Sequence, residues 1–103
     1  MSAQSDHRAS SDPDLGARVS IEVTGILAGG RCTIGLEPGR TWLVDSPTVP
    51  EGMCGWAWAA IMPFLTPLRF GASLPWEDEP GTARVCCPDP DNPVVFRLTV
   101  LGE

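Results

Sequence analysis

The chain has 103 residues, a formal net charge of −6, and 11 glycines and 11 prolines. That length holds one domain with one core. The acidic balance argues against nucleic acid or an anionic membrane surface as partner, since both require a cationic footprint. The turn-forming composition argues against a helical bundle.

Residues 1–17 are polar, with few large apolar side chains, and are expected to form a disordered tail ahead of a single domain over 18–103. The tail lacks the basic start and apolar run of a secretion signal, and no stretch is long enough to span a bilayer. Both point to the cytoplasm. In that compartment the four cysteines are expected as thiols, metal ligands or redox groups, not as structural disulfides.

Val19, Ile21 and Val23 alternate with Ser20, Glu22 and Thr24, the period of a half-buried strand. Pro38-Gly39 predicts a type II turn, with glycine taking the positive φ. Thr41 to Asp45 reads as a second strand. Thr48 and Glu51 have the spacing of a helix capping box, with Pro50 tolerated in the first turn. The helix so started is apolar almost all round and is expected to stop or kink at Pro63, which lacks an amide proton. Ala83 to Cys87 and Val94 to Leu101 complete the pattern as two further strands, joined by the turn Pro88-Asp89-Pro90-Asp91-Asn92-Pro93. The fold class is α+β: a small, mostly antiparallel sheet in β-β-α-β-β order, packed on one kinked apolar helix.

The segments Cys32-x-x-Gly35, Gly52-Met53-Cys54, Leu68-Arg69-Phe70-Gly71-Ala72 with Pro75-Trp76-Glu77, and Cys87-Pro88-Asp89-Pro90-Asp91-Asn92-Pro93-Val94-Val95-Phe96 occur in that order. Together they resemble a family of small prokaryotic proteins of unknown function, slightly shorter than this chain. The resemblance covers nearly everything after the tail but brings no activity with it. Gly55 stands where relatives are expected to carry proline, and Cys86 is an additional thiol.

Three functional readings arise from the residues. The first is a thiol-based redox or metal-binding protein using Cys32, Cys54 and Cys87, with zinc or iron as the candidate metal. Cys86 and Cys87 point to opposite faces of a strand, so only one of them can join the other two. Cys87 is held extended by Pro88, which fixes where its side chain points. Cys54 is expected about six residues into the helix, beyond most of its dipole. The second reading is a small-molecule-binding protein or enzyme whose pocket is lined by Trp56, Trp58, Trp76 and Arg69, with Glu77 as acid or base. The third is a non-catalytic module in which surplus apolar helix surface is buried in a homo-oligomer.

Each site has a plainer structural account. Free thiols fill small core gaps, Arg69 braces Glu77 through an ion pair, Asp78, Glu79 and Arg84 are solvated, and Asp89 and Asn92 shape an Asx turn. Ser-His-Asp hydrolysis is closed, because the lone histidine, His7, lies in the tail. No glycine-rich strand-to-helix turn supports a nucleotide cofactor.

Overall fold

The computed structural model describes residues 11–12 and 15–102. The expected tail over residues 1–17 falls largely outside these residues, and His7 entirely so. Strand β1 (Ser11–Asp12) pairs with β2 (Gly16–Ala17), and the chain then enters the long strand β3 (Val19–Ile26). Next come β4 (Thr41–Val44), helix α1 (Gly55–Arg69), β5 (Thr82–Cys86) and β6 (Val94–Val100). The fold is α+β, a four-stranded antiparallel sheet with one helix, and the strands lie in the order β4-β3-β6-β5.

The alternation seen in the sequence sets the two faces of this sheet. Val19, Ile21 and Val23 from β3, Trp42 and Val44 from β4, Ala83 and Val85 from β5, and Val94, Phe96 and Leu98 from β6 are all buried. Helix α1 covers that face with Ala57, Trp58, Ile61, Leu65 and Leu68, a stripe of helical spacing, and packs chiefly on β5. Trp42 and Phe96 meet inside with ring centroids 6.2 Å apart. The opposite face presents Glu22, Leu43, Arg84, Cys86 and Arg97 to solvent.

The helix departs from its sequence reading at both ends. It begins at Gly55, with Cys54 as its N-cap residue, and not at Thr48. The Met53 amide donates to the Pro50 carbonyl at 3.1 Å, and Gly52 takes φ 83°, so Pro50 to Met53 forms a type II turn incompatible with a helix. Glu51 contributes its carbonyl, which accepts the Trp42 indole N–H at 3.0 Å. Arg40 lies 4.6 Å from the Trp42 ring centroid, a cation–π contact. A Cβ at Gly52 would meet only the mobile end of Arg40, so it is the positive φ that requires glycine here.

At the other end, the helix runs on through Pro63 and Pro67 to Arg69. The two prolines are four residues apart on an exposed stripe with Ala59 and Thr66. The carbonyls that lose their partners, those of Ala59 and Pro63, therefore lie on the hydrated side. The helix is apolar in composition, but only one of its stripes is buried.

The acidic loop after the helix also departs from expectation. Arg84 and Arg97 stand directly opposite each other across β5 and β6, an unfavourable like-charge pair. Glu79 pairs with Arg97 at 3.0 Å, and Glu77 Oε1 accepts from Arg84 Nε at 3.0 Å while its Oε2 accepts the Arg84 backbone N–H at 3.0 Å. The Glu77 side chain is only 5% exposed. Glu77 thus braces Arg84, where the sequence suggested Arg69.

Leu65 lies between helix and sheet and is 1% exposed. Truncation to alanine at such a site costs about 2–5 kcal/mol. Leu65→Ala is expected to lower the midpoint of urea unfolding accordingly, whereas Thr66→Ala on the exposed stripe is expected to leave it nearly unchanged.

Candidate functional site

Three chain segments far apart in sequence converge at the N-terminal end of α1. Cys32, Thr33 and Ile34 come from the loop after β3, Cys54 and Trp56 from the helix start, and Cys87 to Pro90, Asn92 and Val94 from the proline turn and the strand it leads into. They line one open cleft of about 370 Å³, within the size range of small-molecule sites. Its walls are largely apolar, and Trp56, 69% exposed, forms part of the lip.

The proline turn is built by one carboxylate. Asp89 Oδ1 accepts the amides of Asp91 at 3.0 Å and Asn92 at 3.2 Å, and Oδ2 accepts from Asn92 Nδ2 at 3.4 Å. These bonds, the Asp91 amide foremost, hold the Asp89 carboxyl below the usual aspartate range. Asn92 then reaches outward: its Oδ1 accepts the Arg31 amide at 2.9 Å. At Gly30 a Cβ would lie 2.5 Å from that same oxygen, so the close approach requires glycine. With the Leu27 amide donating to the Pro93 carbonyl at 2.9 Å, the Cys32 loop is tied to the Cys87 turn.

Each thiol has its own setting. All four cysteines are free. Cys87 is half-buried; its Sγ accepts the Val94 amide at 3.3 Å and faces the Asn92 carbonyl at 3.7 Å as a donor. The same sulfur can therefore be hydrogen-bonded as thiol or as thiolate. Cys54 caps α1 without a side-chain cap hydrogen bond, beside the first amides of the helix, which have no intrahelical acceptors. This differs from the interior helical position expected for it. Cys86 is exposed on the opposite face of β5, and desolvation followed by the neighbouring Cys87 pushes its pKa up.

The cleft thus brings together Cys32, Cys54, Cys87 and Trp56, and separates them from the other candidates. Among the described residues no three His, Cys, Asp or Glu side chains are gathered closely enough to hold a metal ion. The three thiols expected as zinc or iron ligands, Cys32, Cys54 and Cys87, line one cleft without forming such a group. The pocket of Trp56, Trp58, Trp76 and Arg69 is not formed either. Trp58 is in the core, Trp76 stacks edge-on against Phe64 at 6.5 Å, and Arg69 is at the far end of α1, about 20 Å away at 1.5 Å per residue. Glu77, bound to Arg84, faces neither. The role of Asn92 in tying two loops was not apparent in the sequence. A glycine pair ahead of Cys32 was its only trace there.

No family model, curated protein or solved structure matches this chain. Among the described residues no helix is long and apolar enough to cross a membrane.

The lowered Asp89 pKa couples the turn to pH. Its stabilising contribution is fully present above the ordinary aspartate value and is lost as the pH falls through the lower folded value. Acid titration followed by ¹H–¹⁵N spectra is expected to shift the Asp91 and Asn92 amides together, with a midpoint below that of an unstructured aspartate. Asp89→Asn is expected to abolish the shared transition.

Proposed function

We propose that the protein is a thiol-dependent redox protein working through the cleft of Cys32, Cys54 and Cys87. One observation carries this reading: three of its four cysteines, from three separate segments, line one apolar cleft rather than the core. Inert gap-filling thiols would be expected among the core side chains, but these three are only part-buried at its edge.

Cys87 is the attacking group in this reading. The Val94 amide stabilises negative charge on its sulfur, and Pro88 fixes its backbone. Attack by the Cys87 thiolate on a small disulfide seated against Trp56 forms a mixed disulfide. The substrate S–S bond breaks, and one half leaves as a thiolate that takes up a proton. A second cleft thiol, Cys54 at the helix N-terminus, then loses its proton and attacks the Cys87 sulfur. The other half is expelled as a thiolate, leaving a Cys54–Cys87 disulfide. The substrate disulfide is reduced by two electrons, the protein dithiol is oxidised by two, and an external dithiol restores it. Cys86, facing away with a raised pKa, takes no part.

The test uses 4,4′-dithiodipyridine, a neutral aromatic disulfide, on the fully reduced protein. Rapid release of two thiopyridone equivalents is expected, together with an intramolecular disulfide between cleft cysteines found by peptide mapping. Cys86→Ser is expected to keep the rapid phase and Cys87→Ser to lose it, both remaining folded by circular dichroism. Stable mixed disulfides on every cysteine, with no intramolecular bond, would overturn the reading.

A further inference from the structure

Among the residues that line the thiol cleft, Asp89 is the only acid or base apart from the cysteines. Its Oδ1 accepts the amides of Asp91 and Asn92, while its Oδ2 meets only Asn92 Nδ2, at 3.4 Å. These neutral donors, the Asp91 amide foremost, keep the carboxyl ionised without cancelling its charge. Among the described residues no cation pairs with it; the ion pairs there join Glu77 to Arg84 and Glu79 to Arg97.

No cation lines the cleft either. The chain has no lysine. Arg40 lies over Trp42, and Arg69 is at the far end of α1. Arg31, beside Cys32, and Asp91, near Asp89, are both exposed and outside the lining, one cation against one anion. The cleft is roughly 9 Å across for its volume of about 370 Å³, close to the Debye length of about 8 Å at physiological salt. A substrate anywhere within it therefore feels the Asp89 charge, whichever way the carboxylate points. Apolar walls focus that field. Trp56 at the lip, 69% exposed, adds a ring face that attracts cations.

We infer that the cleft selects disulfides with a positive charge close to the sulfur, the disulfides of aminothiols, and rejects anionic ones, with Asp89 as the residue that decides. This rests on the thiol-exchange reading and adds the substrate class to it. The Cys87 thiolate attacks one sulfur of such a disulfide, the S–S bond breaks, and one aminothiol leaves as a thiolate that takes up a proton. Cys54 then attacks the Cys87 sulfur and expels the second aminothiol, which takes the proton that Cys54 loses. Asp89 touches neither sulfur; it favours the approach of the cation.

The probes are three symmetric disulfides of similar size: cystamine, with two ammonium groups, neutral bis(2-hydroxyethyl) disulfide, and 3,3′-dithiodipropionate, with two carboxylates. Rates are measured on the full-length Cys86→Ser chain, whose remaining thiols all line the cleft. Each is divided by the rate with N-acetylcysteinamide, which cancels the disulfide's own reactivity and the charge of the attacking thiolate. The normalised rates are expected to fall about three- to tenfold at each step in that order. The spread is expected to shrink in about 1 M salt, where the Debye length is about 3 Å. Asp89→Asn keeps an oxygen for the turn amides; it is expected to bring the three normalised rates together while keeping the hydroxyethyl one. Asp91→Asn removes an equal charge outside the cleft and is expected to preserve the order. Equal or reversed rates before either change, an order that survives in Asp89→Asn or in high salt, or one lost equally in Asp91→Asn would overturn the selectivity and leave the thiol reading standing. Should Asp89→Asn lose the hydroxyethyl rate as well, its turn has moved and the salt dependence decides. Exchange with none of the three removes both.

Discussion

Asn92 holds together two stretches of chain 61 residues apart, through one bond from the Arg31 amide to its side-chain oxygen. A bond of this kind contributes about 1 kcal/mol in net stability, small against the core but decisive for geometry. It depends on two local conditions. Asp89 must curl the proline turn so that Asn92 points outward, and Gly30 must lack a side chain so that the loop can approach. Given both, the Cys32 loop lies against the Cys87 turn, and the gap between them and the helix start becomes the cleft. The sheet supplies the floor, since β6 carries Val94 and its pairing with β3 fixes where both loops leave the sheet.

The vicinal thiols show how a strand sorts chemistry by face. Cys86 and Cys87 are neighbours in sequence, yet one is on the solvent face and the other in the cleft. Strand pleating alone does this. The consequence is electrostatic as well as steric. Cys86 has its pKa raised by desolvation and by the sulfur beside it, while Cys87 has a backbone amide directed at its sulfur. A single peptide bond thus separates an exposed thiol that holds its proton more tightly than an ordinary one from a thiol that accepts a backbone hydrogen bond inside the cleft.

Much of the sheet was legible from the sequence, because alternation over Val19–Val23 and Val94–Val100 admits only one assignment of faces. The Pro38-Gly39 turn was legible for a similar reason: Gly39 takes φ 97° and the Arg40 amide returns to the Glu37 carbonyl at 3.1 Å. The helix ends were not. Thr48 and Glu51 have capping-box spacing, but Gly52 takes a positive φ that breaks the run, and the Glu51 carbonyl goes to the Trp42 indole. Pro63 misleads because its cost depends on which side of the helix it occupies, and that depends on the packing. Ion pairing was least legible of all. Glu77 lies eight residues after Arg69 and seven before Arg84, and nothing local distinguishes the two. The meeting of Cys32, Cys54 and Cys87 on one cleft could be posed from sequence but not answered, since it turns on the long-range reach of Asn92.

The double grip of Glu77 on Arg84 has a meaning beyond charge balance. Strand β5 is an outer strand of the sheet, and such a strand offers its outward amides to any passing chain. The carboxylate of Glu77 occupies the Arg84 amide at 3.0 Å, where a neighbouring strand's carbonyl would otherwise bind. The side chain stands in for a fifth strand one residue long. At that position a small acidic loop closes the open margin of the sheet to a pairing strand.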